Sequence, residues 1–394
     1  MTQTSVDGRY RDALAIPEFR AIFISHVVSM LGTVITEFSL MVLVYERTQS
    51  PFLSALVFTL GFSPHLFGGT LLNALVDRVP IRRLLVGSNL VTALLSCAMA
   101  IPGIPIVVLL LLAFCVGLVA PVFSGARSAT LPDVLPDHAY IPGRSLFRLV
   151  AQLTLMAGFT LTGLLLTAIE PHLALLIVGA CFLLSAAVLR FGTKERATKK
   201  ETQGSLLRDS LSGLRRVMAV PPLRRILLLG WWVPALAIFP SALAVPYTRA
   251  QGFDTFALGL FLTAMPIGSV IGELFGVWLK IRRIIPLAVC VFLPQLMFAT
   301  EPGLWLSIAI LAVSGIGFAH HLGLDRRLIE AAPENLRSRA LSLQSAGLMF
   351  WQGLGFAVAG AAAEFADPTV VIPVSAVIGL VCVIALRRTE HSSL

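Results

Sequence analysis

Twelve apolar runs follow one another along this 394-residue chain, separated by short polar breaks, at about 19–44, 52–76, 84–102, 105–126, 146–168, 172–191, 225–247, 256–279, 284–300, 303–324, 340–363 and 369–386. Most are near the roughly 20 residues that a helix needs to cross a bilayer. In hydrocarbon each backbone N–H and C=O must find its partner within the protein, so runs of this length become helices. The chain is therefore expected to be an all-α, multi-pass membrane protein with the lipid bilayer as its first partner. Composition agrees, with 57% hydrophobic and only 13% charged residues, where a soluble chain has about a quarter charged.

A net charge of +9 could suggest nucleic acid, but the basic residues are placed otherwise. With the N-terminus inside, 28 of the 30 Lys and Arg fall in tails, even-numbered loops or bordering helix ends, leaving Arg47 and Arg249 outside. That asymmetry sets orientation, with both termini cytoplasmic. No basic patch is interleaved with stacking aromatics, so no nucleic-acid partner is expected. The five cysteines fall in five different runs without ligand spacing and read as small core residues. The polar first 18 residues lead into a run too long for a signal-peptide core, so cleavage is not expected.

The stretch Gly68 to Arg83, GGTLLNALVDRVPIRR, returns in degraded form two hundred positions later. Gly68, Ile81, Arg82 and Arg83 have counterparts in Gly268, Ile281, Arg282 and Arg283. Further on, Gly158, Phe159 and Gly163 match Gly355, Phe356 and Gly360, and the loops Gly125 to His138 and Leu324 to Asn335 each give arginine, an acid, then proline and an acid. A chain that repeats in this way is built of two related halves. Between them, Arg190 to Arg225 holds ten basic residues and an amphipathic pattern over 207–218 that suits the inner leaflet. The expected division is residues 1–191 as one six-helix bundle, 192–222 as a cytoplasmic linker, and 223–394 as the second bundle.

The Asp77-Arg78 turn with a preceding glycine and the following Arg82-Arg83 resembles the loop between helices two and three of the major facilitator superfamily, Pro80 standing where a glycine is usual. The string VYERTQSP at Val44 to Pro51 and the linker ending in Leu-Pro-Asp resemble the macrolide-efflux and siderophore-exporter branch. The resemblance implies a twelve-helix major facilitator fold in the cell (inner) membrane, monomeric, exporting a small molecule by alternating access at the expense of a proton gradient, with no cofactor. It also implies an inner gate at Gly69, Asp77, Arg78, Arg82, Arg83, Arg127 and Arg144, holding the bundles together when the cavity opens outward. A facilitator, an importing symporter, or a lipid-handling or sensor member of the same fold stays open. No Walker A or HExxH string occurs, and the scattered single acids and histidines do not suit an enzyme.

Candidate site residues come from polar groups at membrane depth. In the first run His26, Thr33 and Glu37 stand at i, i+7 and i+11, one stripe about 16 Å long. Glu37 and Glu273 are the two of 21 acids well inside a run. A carboxylate there faces water, is paired, or is protonated. Glu37 is expected either to couple protons or bind substrate or to make a structural hydrogen bond, and Glu273, two turns from Lys280, to join helices or serve the same cavity. His65 beside Pro64 and the deep Trp351 are either packing groups or cavity wall, while His320 and His321 point different ways and make no metal site. Trp231, Trp232 and Trp305 read as interfacial anchors. Pro234, Pro240 and Pro246 should break the seventh helix, and broken helices in transporters tend to line the substrate path.

Overall fold

The structure, a computed structural model, describes residues 10–62, 64, 79–196, 217–276 and 284–391. Among these there is no strand. After a short helix at Tyr10–Ala15, the first half comprises α1 (Pro17–Thr48), α2 (Pro51–Phe62), α3 (Ile81–Met99), α4 (Ile106–Val134), α5 (Asp137–Ala168) and α6 (Pro171–Gly192). The second half comprises α7 (Pro221–Ala237), α8 (Thr255–Gly276), α9 (Ile284–Phe292), α10 (Leu304–Ile316), α11 (Glu334–Ala362) and α12 (Pro368–His391). Short helices continue α7 to Ala250, a 3₁₀ segment follows α9 to Thr300, and α10 carries on through a 3₁₀ turn to Ala331. Nine helical stretches among the described residues are long and apolar enough to cross a membrane, and Pro51–Phe62 and Ile284–Thr300 are shorter apolar helices. The helix α11 carries Ser342, Gln344, Ser345 and Gln352, which makes it more polar than its neighbours.

Large apolar side chains cover the outside as well as the inside. Leu94 is 69% and Val107 67% exposed, a surface that water would penalise and lipid tails accept. Burial in a bilayer gives no hydrophobic drive between helices, so they meet through small residues and hydrogen bonds instead. On α1, Gly32 lies against the Phe182 ring of α6. Two turns earlier on α1 the Ser25 hydroxyl lies 2.6 Å from that of Ser185, and one turn earlier Ser29 donates to Asn89 Oδ1 of α3 at 2.8 Å.

The repeated glycines have matching jobs. Gly158 of α5 packs on Val34 of α1, and its counterpart Gly355 of α11 on the Ala235 carbonyl of α7, each inside its own half. The second glycine of each pair crosses to the other half. A Cβ at Gly163 would come within 2.8 Å of the Gly259 Cα on α8, and one at Gly360 within 2.7 Å of Ala55 on α2. The sequence repeat is thus a repeat of helix crossings.

The two halves are held at the end opposite the termini. There Arg249 and Glu46 are 2.7 Å apart, Thr160 and Thr263 share a hydrogen bond of 2.9 Å, and Glu364 accepts from the Ser50 hydroxyl and, at 3.0 Å, from the Phe52 N–H. That carboxylate caps the start of α2, where an anion suits the unpaired N–H groups. Phe58 and Phe62 stack on Phe356 behind it, with ring centroids 4.8 and 5.8 Å apart. At the end bearing the termini, Glu18 and Arg196 form a double hydrogen bond of 2.6 and 2.9 Å that fastens the segment after α6 to the start of α1.

Several expectations need correction. Trp231 is no interfacial anchor: it is 6% exposed, lies against Gly347, and donates from Nε1 to the Gln344 carbonyl at 3.2 Å. Trp305 is 75% exposed. The seventh helix does break, at Ile238 and Leu243, but Pro234, Pro240 and Pro246 are buried and packed in the core, away from the cavity described below. Cys115 faces outward and is not a core residue, while the other four cysteines are half-buried, Cys97 with its Sγ against Gly179 of α6. Apart from its last two residues, the amphipathic stretch 207–218 lies outside the described residues.

Candidate functional site

A cavity of about 660 Å³ opens inside the first half, walled by α1, α2, α3, α4, α5 and Phe182 of α6, with Met349 of α11 reaching it from the second half. Its size falls in the range of small-molecule sites, roughly 300–1,000 Å³. Ser124, Ser128 and Arg144 on its rim are exposed, so it opens toward the end that carries the termini. The inter-half contacts at Glu364, Arg249 and the crossing glycines close the opposite end.

The polar stripe of α1 forms one wall. His26, Ser29, Thr33, Thr36 and Glu37 all line the cavity, and Thr33 and Thr36 satisfy their hydroxyls on the carbonyls of Ser29 and Gly32 at 3.0 and 2.8 Å. The two threonine hydroxyls of this wall are thus paired within the helix itself. Glu37 is half-buried, and its Oε1 occupies the space that a Cβ on Gly61 of α2 would fill, at 2.9 Å. Among the described residues its carboxylate has no hydrogen-bond donor or cation as partner. A carboxylate held in a membrane-depth cavity without a fixed partner is free to exchange a proton or meet a ligand.

About 16 Å along the same helix, His26 meets Arg127 of α4, whose Nη1 lies 2.5 and 2.6 Å from the two ring nitrogens and donates to the ring. The guanidinium also lies 4.8 Å over the Phe147 ring of α5, a cation–π contact. Tyr140 and Arg144 continue the rim on α5.

Five of the expected site residues, His26, Thr33, Glu37, Arg127 and Arg144, therefore converge on one cavity. Arg127 and Arg144 are in its wall and mouth. Arg82 donates to the Arg190 carbonyl at the end of α6, and Arg83 stands 3.3 Å from Glu195, so both lie against their own half. Glu273 is exposed near the end of α8 and Trp351 packs on Trp232 with ring centroids 5.1 Å apart; neither lines the cavity. His65, Gly69, Asp77 and Arg78, like Lys280, lie outside the described residues. Ser88, Asn89 and Thr92 of α3 join the wall unanticipated, although their i, i+1, i+4 spacing marks a polar face in an apolar run.

A family model described as Major Facilitator Superfamily matches residues 22–324. The MFS-type transporter YjbB of Bacillus subtilis is 26% identical over 370 residues, 88% of this chain and 89% of the relative. Macrolide efflux protein A of Streptococcus pyogenes is 20% identical over 369 residues, 89% of each. Among solved structures, the nucleoside transporter NupG is similar in fold, with a TM-score of 0.71 over 93% of this chain and 98% of that one at 13% identity.

Proposed function

Because the chain belongs to the major facilitator superfamily, and is thus a membrane transporter rather than an enzyme, we propose that it is a proton-coupled exporter of an amphipathic drug-like compound or metabolite. It works as a monomer by alternating access between two six-helix bundles, residues 1–191 and 223–394, joined by a linker at 192–222. The observation that carries this reading is the cavity itself, about 660 Å³, closed at one end and holding a carboxylate, Glu37, that has no fixed partner among the described residues. Export is supported by the likeness to a macrolide efflux protein. Coupling to protons is supported by Glu37, since a lone carboxylate reachable from the open end can carry one proton per cycle.

The direct test uses inverted membrane vesicles energised by respiration and a panel of cationic, neutral and anionic fluorescent amphiphiles. At least one should accumulate, and an uncoupler should release it. Accumulation that ignores the uncoupler, or that runs only in right-side-out vesicles, would overturn the proposal.

The distribution of basic residues supports a cytoplasmic reading of the termini and linker, and on that reading the closed end is the outer one. A cysteine introduced at Lys200 in a cysteine-free background should resist a membrane-impermeant maleimide in intact cells and react once the membrane is opened. Labelling in intact cells would reverse the topology. In the same assay, Glu364→Ala should speed outside labelling of a cysteine at Thr33 by several-fold, because it removes a cap and an acceptor for two donors. Arg249→Ala should change it less, since an exposed ion pair contributes about 0–1 kcal/mol.

A further inference from the structure

Resting on the reading of this cavity as the transport site, we infer that the transported compound carries an anionic group, and that Arg127 is where that group docks. Arg127 is a cation set into the bundle wall with two partners, the His26 ring at 2.6 Å and the Phe147 face at 4.8 Å. Neither brings negative charge. His26 has to offer a lone pair to the guanidinium, so it is neutral in this arrangement; an imidazolium would set two cations in contact. Among the described residues no carboxylate stands within ion-pair distance of Arg127. A cation held in a protein wall is ordinarily paired with an opposite charge, and this one faces an open cavity instead.

The remaining surroundings fit the same ligand. Arg144 stands on the exposed rim and adds a second positive charge along the way in, where low-dielectric walls focus the field on an arriving anion. Glu37, the carboxylate in the wall, lies about 16 Å along α1 from His26, too far to neutralise the guanidinium. Between the two, Met30, Val34, Phe123 and Leu155 line apolar space for the body of the compound. Arginine suits the role because its planar fork can give a carboxylate or phosphate two parallel hydrogen bonds. The ligand class is thus an acid-bearing amphiphile, its acid toward the cytoplasmic mouth and its apolar body toward Glu37.

The test compares two probes that differ only in charge, dansyl-aminoundecanoic acid and its carboxamide, titrated by fluorescence into purified full-length protein in neutral detergent. The acid should bind wild type at least about tenfold more tightly than the amide, a gap worth one decade of Kd. Arg127→Gln should erase that gap by weakening the acid alone, Arg127→Lys should keep part of it, and Arg144→Gln should narrow it about two- to fivefold. Equal binding of acid and amide to wild type, binding of neither, or an acid preference that survives Arg127→Gln would overturn the inference. Should Arg127→Gln fail to fold, judged by its melting profile, an acid preference unchanged in Arg144→Gln would overturn it as well. If Arg127 served only to pack on Phe147, its loss would weaken both probes equally. Binding in detergent needs no gradient and no turnover. An acid preference without uncoupler-sensitive accumulation would therefore sink the exporter reading alone, and accumulation with equal binding would sink only the anion.

Discussion

Glu37→Gln should abolish uphill accumulation in energised vesicles while leaving substrate exchange across the membrane intact. The amide keeps the size of the side chain and its fit against Gly61, but it can neither release nor take up a proton. Because Glu37 makes no ion pair or hydrogen bond among the described residues, the substitution removes no structural partner, and the melting temperature should stay close to wild type. The contrast with Glu273 is informative. Glu273 is exposed on α8 and away from the cavity, so Glu273→Gln should leave accumulation within about twofold of wild type, the small effect usual for surface substitutions. Proton release on substrate addition, read by a pH dye in weakly buffered detergent solution, separates coupling from binding. If Glu37→Gln protein releases as many protons as wild type, the coupling group is elsewhere.

Gly163→Leu, and independently Gly360→Leu, should slow turnover by tenfold or more through the outer closure rather than through the cavity. At these positions backbones of opposite halves come together with no room for a Cβ, the nearest atoms being Gly259 Cα for the one and Ala55 Cβ and Phe52 Cα for the other. Overpacking at such a contact costs about 1–3 kcal/mol. Each 1.4 kcal/mol is a tenfold change in an equilibrium, and the cost falls only on the state in which the outer ends meet. The population should shift toward an outward-open arrangement, visible as faster labelling of a cysteine at Thr33 from outside the cell. Gly87, where an added methyl group would meet nothing within 4 Å, provides the control: Gly87→Ala should be silent. Unchanged turnover in a folded Gly163→Leu protein would mean that this crossing does not govern the closed state.

How much of this was legible in the chain can be judged from particular residues. The helices, their sequence order and the orientation expected for them follow from local rules, because hydrocarbon forces backbone pairing within each run and the membrane sorts Lys and Arg by side. The pairs Gly158/Gly163 and Gly355/Gly360 declared two related halves before any contact was known. Depth is also local: Glu37 sits inside its run, two turns from the nearer end, and its stripe with Thr33 and His26 follows from helical spacing alone.

What sequence could not supply is direction and company. Glu37 and Glu273 look alike in an apolar run, yet one turns into a cavity beside Gly61 and the other outward. Trp231 and Trp232 are adjacent, but one is buried on Gly347 while the other is partly exposed. The broken seventh helix packs into the core although its prolines suggested a pathway. Arg127 meets His26 from 101 positions away, and the closure at Glu364 joins residues more than three hundred apart. Helix formation needs only the chain's own neighbours and its solvent. The face a helix turns inward, and the residue waiting there, depend on how all the other helices pack against it at once, and that was decided by the tertiary structure.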